Sequence, residues 1–194
     1  MSQYSVCVFC GARMGADPAF ADAANALGGA LAKADMRLVY GAGDVGLMGM
    51  VATGAQQAGG QTFGVIPVHL LEREAGKRDI TQFVITENMH ERKKVMFMNA
   101  DAFVTLPGGA GSLDELFEIL TWRQLGLHEK PVFLLDSKGY WQPLLALIDH
   151  MVANGFAGTR FRQTVQTVQD VQALMPLLEA ARAAHGSKFG PTGA

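Results

Sequence analysis

Residues 106–118 read LPGGAGSLDELFE, placing glycines at 108, 109 and 111, a hydroxyl at Ser112 and carboxylates at Asp114, Glu115 and Glu118 in one short stretch. Glycines let successive backbone N–H groups converge without side-chain obstruction, and a helix that follows aims its unpaired N–H groups the same way. Such a turn receives an anion, most simply a phosphate. Carboxylates directly behind it would compete with that anion. Either they stabilise the helix start or one of them has separate chemistry. The first account is available: Ser112-x-x-Glu115 has the spacing of a capping box, with Ser112 as N-cap and Glu115 reaching back to its amide. Acids in a first helical turn also each contribute about 0.3–1 kcal/mol through the helix dipole.

Three other clusters contain residues able to do chemistry. Cys10-Gly11-Ala12-Arg13 follows one apolar run, and Gly41-Ala42-Gly43-Asp44-Val45-Gly46 follows another and fits G-x-G-x-x-G. A dinucleotide site on that loop needs an acid about 20 residues further on, at the end of the next strand. The chain there reads Ile66-Pro67-Val68-His69, with its first acid at Glu72, so close backbone packing explains these glycines better. The third cluster, Met89-His90-Glu91-Arg92-Lys93-Lys94, reads on composition as a solvated basic face, and Lys94 breaks the zinc pattern H-E-x-x-H. Its place after a strand nonetheless puts Arg92 or Lys93 within reach of the same rim, where Arg can grip a phosphate with two hydrogen bonds. Cys7 and Cys10 lie three apart in a strand and so point to opposite faces, which favours two reduced thiols over a redox or zinc pair. No G-K-[ST] follows a glycine loop, and neither a G-x-S-x-G elbow nor a Cys-His nucleophile site occurs. The residues describe a binder or hydrolase of a phosphorylated small molecule, without a covalent nucleophile.

Alternating elements must position these clusters. Strands are predicted over residues 4–10, 37–40, 62–66, 82–86, 102–106, 131–135 and 164–168, and helices over 18–34, 47–58, 89–99, 113–125, 140–154 and 170–184. Near-continuous apolar strands between helices imply a Rossmann-like, doubly wound parallel sheet with helices on both faces. One domain is expected over residues 1–185, with a flexible tail at 186–194. Ligands on such a sheet bind beyond the strands' C-terminal ends where strand order reverses, so the loops at 10–13, 41–49 and 107–112 should open onto one rim. The 194 residues are 49% hydrophobic and 18% charged with net charge −2, which excludes a disordered chain and argues against a nucleic-acid footprint. No apolar run reaches membrane-spanning length, and the first residues lack a signal-peptide pattern, so the cytoplasm is the expected compartment. In helix 89–99 the succession Val95, Met96, Phe97, Met98 predicts either part of a dimer interface or a helix buried all round.

The segments VFCGA (8–12), VYGAGDVGLMG (39–49), GVIP (64–67), MHERK (89–93) and LPGGAGSLDEL (106–116) together resemble the LOG family, the cytokinin riboside 5′-monophosphate phosphoribohydrolases, many of which bear the label lysine decarboxylase by mistaken transfer. The resemblance implies a Rossmann-like fold, usually a homodimer. It also implies hydrolysis of the N-glycosidic bond of a purine nucleoside 5′-monophosphate, either AMP or an N6-modified cytokinin nucleotide, without cofactor or metal. It places the catalytic pair on Arg92 and Glu115, and substrate binding on Glu74, Lys93, Gly108, Gly109, Gly111, Ser112 and Thr121. Gly11, Arg13 and Gly43 complete a rim for the phosphate or nucleotide. Asp114 and Glu118 are then left as helix-dipole and solvent-facing residues. Cys10-Gly11-Ala12-Arg13 departs from the family's C-G-S-S, exchanging two hydroxyls for a cation, which bears on substrate preference. A nucleotide carrier of the molybdenum-cofactor-carrier kind is the alternative on this scaffold. NAD-dependent oxidoreduction and pyridoxal-phosphate decarboxylation are disfavoured.

Overall fold

The computed structural model describes residues 3–71 and 76–188. Seven strands, β1 (Ser5–Phe9), β2 (Arg37–Tyr40), β3 (Thr62–Pro67), β4 (Gln82–Thr86), β5 (Ala102–Thr105), β6 (Val132–Leu135) and β7 (Val165–Val168), form one sheet in the order β4-β3-β2-β1-β5-β6-β7. Every pairing is parallel. The central strands are fully buried, as their unbroken apolar sequences require of a sheet covered on both faces. The helices are α1 (Pro18–Lys33), α2 (Gly46–Gln57), α3 (Val68–Leu71), α4 (Met89–Met98), α5 (Ala110–Gln124), α6 (Gln142–Ala153), α7 (Thr159–Gln163) and α8 (Val171–Lys188). Among the described residues no helix is long and apolar enough to cross a membrane.

Side-chain alternation along β1 divides the core. Val6, Val8 and Cys10 pack with α1, α2 and α8, whereas Cys7 and Phe9 pack with α4, α5 and α6. The two cysteines therefore lie on opposite faces, buried and free, as their spacing implied. Strands β1 to β4 run toward one edge, and β5 returns to pair with the other side of β1, so strand order reverses between β1 and β5. The loops leaving those two strands are stitched by Gly11 N–H donating to the Pro107 carbonyl at 3.0 Å.

Three local differences from expectation matter. Helix α5 begins at Ala110, one turn earlier than its first leucine suggests, and α2 begins at Gly46. The single-turn helices α3 and α7 carry too few residues to show a period and were not expected. In α4 only Arg92 and Met96 are buried while Met98 is 69% exposed, so the helix packs on one side and is not buried all round. Its last apolar residues are shared between core and surface.

Candidate active site

A cleft of 570 Å³ opens at the β1/β5 reversal, lined by residues 10–16, by Phe20 from α1, Leu47 and Met48 from α2, Met89 and Arg92 from α4, residues 107–109, Gly111, Ser112 and Glu115 from the β5–α5 turn, and Tyr140. The expected position on the sheet is the observed one. Gly109 is the N-cap of α5 and no side chain caps the helix, which leaves the N–H groups of its first turn directed at the cleft mouth. Ser112 is the third helical residue, buried against Gly108, where a Cβ would collide with its hydroxyl. The capping box therefore does not form, and none of the three acids lies in the first turn. Both structural explanations for Glu115 drawn from spacing fall with the earlier helix start.

Arg92 is 6% exposed, and its guanidinium is spent largely on backbone. Nε donates to the Val65 carbonyl at 3.0 Å and Nη2 to the Gly41 carbonyl at 2.8 Å, while Nη1 lies 3.8 Å from the Met89 sulfur. The arginine thereby ties together the C-terminal ends of β2 and β3. Gly41 is glycine because a Cβ there would fall on Nη2, and Gly46, at φ 63°, because a Cβ would fall on the Ala12 carbonyl. Close packing accounts for these two glycines of the G-x-G-x-x-G stretch, and Leu47 N–H to the Gly11 carbonyl at 3.0 Å binds its loop to that of β1. Gly43 is buried behind the cleft, bridged to Gly76, and does not line it.

Glu115 lines the cleft and is partly buried. Burial pushes its pKa up to about 7; Arg92 pulls it back, and Asp114 adds to the rise. Burial, with Glu115 nearby, also pushes the Cys10 thiol well above its ordinary range, so this cleft residue stays neutral. Arg13 is exposed at the cleft rim, and no ion pair to it occurs among the described residues.

Lys93 and Thr121 lie elsewhere. Lys93 turns away from the cleft and pairs with Asp114 at 2.9 Å and Glu118 at 3.2 Å, its side chain 9% exposed. Burial alone would lower its pKa, but the hydrogen bonds to Asp114 and Glu118 outweigh that and raise it. Asp114 and Glu118 are thus partners of Lys93 and not merely dipole or solvent-facing acids. Thr121 borders a second depression of 490 Å³ with Ala110, Leu113, Asp114, Phe117, Glu118 and Trp122, on the outer side of α5. Glu74 lies outside the described residues.

The cleft's apolar wall, Met14, Phe20, Met48 and Met89, is not legible in the sequence because these residues carry no chemical signature. Tyr140 lines the cleft too and follows the end of β6, where the strand-end rule that points to the other loops also applies. The arrangement combines amide donors for an anion, a carboxylate that titrates near neutrality and an apolar wall for a flat ring. No lysine is among the described residues that line the cleft. No group of three or more His, Cys, Asp or Glu is placed to hold a metal ion among the described residues.

The family model described as "Possible lysine decarboxylase" matches residues 48–178. The chain is 44% identical over 160 residues to the cytokinin riboside 5′-monophosphate phosphoribohydrolase LOG4 of Arabidopsis thaliana, covering 82% of this chain and 74% of that protein. LOG7 of the same plant matches to the same extent. A solved structure of the molybdenum cofactor carrier protein from Chlamydomonas reinhardtii superposes with a TM-score of 0.73 over 94% of this chain and 99% of that one. At 20% identity that likeness is of fold alone.

Proposed function

This chain belongs to the LOG family, and from that premise we propose that it hydrolyses the N-glycosidic bond of a purine nucleoside 5′-monophosphate, AMP or an N6-modified analogue, to the free base and ribose 5-phosphate. The observation that carries this reading is Glu115: a carboxylate with a pKa of about 7, one turn past uncapped helix amides and in the same cleft. The amides of Gly109 and Gly111, the hydroxyl of Ser112 and the Arg13 guanidinium hold the 5′-phosphate, with Gly108 leaving room for the Ser112 hydroxyl and Gly11 tying the β1 loop to Pro107. The sugar then faces Glu115, and the base lies against Phe20, Met48 and Met89. As the bond to the base breaks, positive charge grows at the anomeric carbon; the ionised carboxylate stabilises it and orients the attacking water. Arg92 acts from below, holding the β2 and β3 ends in place and keeping Glu115 ionisable near neutral pH.

The proposed homodimer uses the exposed end of α4 at Met98 together with the outer side of α5, where Leu113, Phe117, Thr121 and Trp122 border an open apolar depression and Trp122 packs on Phe97. Light scattering should give twice the chain mass; a monomeric mass contradicts it. For the reaction, purified protein is incubated with AMP and with N6-isopentenyl-AMP, and free base is sought by chromatography, with Glu115→Gln as control. Base release in multiple turnovers is expected. Tight nucleotide binding without any release would favour the carrier alternative.

A further inference from the structure

A loop that collects N–H donors for an anion must also dispose of its carbonyl oxygens, because each trans peptide carries both and an oxygen facing a phosphate repels it. In the β5–α5 turn three successive carbonyls are occupied. Pro107 accepts from Gly11 N–H at 3.0 Å, and Gly109 accepts from Leu113 N–H at 3.1 Å as the first bond of α5. The carbonyl between them, that of Gly108, accepts from the Tyr140 hydroxyl at 2.7 Å. Tyr140 is the one side chain in this set, and it arrives from a different part of the chain, past the end of β6.

Its placement is built rather than incidental. Buried Asp136 accepts from Trp141 N–H and from Gln142 Nε2, both at 2.6 Å, and its carbonyl accepts from Gly139 N–H at 3.1 Å, fixing the turn that bears Tyr140. The ring is held edge-on by Phe20 at 5.6 Å and by Trp141 at 4.8 Å between centroids. Tyr140 is 40% exposed, so these ring contacts and the Asp136 turn, rather than burial, direct its hydroxyl at the Gly108 carbonyl.

We propose that Tyr140 is a positioning residue of the phosphate-receiving turn: by binding the Gly108 carbonyl it orients that peptide so that the turn presents only donors to the anion. The proposal rests on the reading of this cleft as a nucleoside-monophosphate site. In a trans peptide the C=O and the following N–H point in opposite directions, so fixing the Gly108 oxygen also fixes the Gly109 N–H.

The test compares the wild-type chain with Tyr140→Phe, which keeps the ring contacts and removes only the hydroxyl. The Kd for ribose 5-phosphate, measured by calorimetry, should rise about three- to tenfold, the worth of one hydrogen bond. The KM for AMP should rise by the same factor with kcat within about twofold. An unchanged Kd, or a fall in kcat with KM unchanged, overturns the proposal. Wild-type protein that binds ribose 5-phosphate but releases no base from AMP or N6-isopentenyl-AMP removes the hydrolase reading, and the Kd comparison then decides Tyr140 alone. Wild-type protein that releases base without measurable ribose 5-phosphate binding leaves the KM comparison to decide Tyr140, and wild-type protein that neither binds ribose 5-phosphate nor releases base overturns both.

Discussion

Helix α5 has two acidic faces that behave oppositely although Asp114 and Glu115 are neighbours in sequence. A step of one residue turns about 100° around the helix. Glu115 enters the cleft, loses water and is pushed up to about 7, while Asp114, 59% exposed on its side chain, pairs with Lys93 beside Glu118. The inner face thus has a carboxylate poised to change charge near neutrality, and the outer face has a closed ion-pair group that holds α4 to α5. Residue type does not separate the two roles. What separates them is which side of the helix is dry and which cation stands nearby.

The sharpest way to break this contrast is to neutralise each acid in turn. Glu115→Gln should lower kcat for base release by about 10²–10⁴-fold, the usual range for a positioned acid or base, while Asp114→Asn stays within about threefold of wild type. Equal losses in a chromatographic assay would show that the faces are not distinct.

The two cations test the same division through stability. Arg92→Ala leaves the Gly41 and Val65 carbonyls without their charged donor and should cost roughly 3 kcal/mol in urea unfolding. Lys93→Met, removing pairs that water already screens at Asp114, should cost about 0.5–1 kcal/mol.

The pH dependence of stability follows from the sign of the Glu115 shift. A carboxyl whose pKa is raised on folding binds its proton more tightly in the native state, so its contribution is complete below about 4.5 and is lost as pH rises through about 7. Wild type should therefore lose on the order of 3 kcal/mol relative to Glu115→Gln across that interval, measured as the difference between their unfolding free energies. Over the same interval kcat/KM of wild type should rise as the carboxylate form accumulates. A flat difference in stability would place Glu115 in water. Smallest in its effect on chemistry, Phe117→Glu on the outer face should halve the mass seen by light scattering while changing kcat less than about threefold.

Much of the fold was legible because its signals are local. Strands β2 and β4 fall on the expected residues, and alternation in β1 separated Cys7 from Cys10, since period-two burial needs nothing beyond the segment itself. The start of α5 at Ala110 is not legible for the converse reason. Glycines 109 and 111 are poor helix formers, and the turn is held by contacts from Gly11 and Tyr140 that lie far away in sequence. The candidate site divided in the same manner. Ser112, Glu115 and Arg92 converge on the cleft, but Lys93 pairs with Asp114 away from it, Thr121 borders the outer depression and Gly43 does not line it, because adjacent positions on a helix or loop diverge in direction.

By itself the sequence determined the layered α/β fold, the strand ends at which ligands gather, and the residue types available there: loop amides, arginines and a set of acids. Those follow from hydrophobic period, glycine placement and short motifs, all properties of contiguous chain. Only the tertiary structure decided which acid loses its water, that Arg92 spends its donors on two carbonyls, and that Tyr140 reaches across to Gly108. Desolvation, clamping and carbonyl capture depend on segments distant in sequence meeting at the reversal of one sheet, and no local pattern records that meeting.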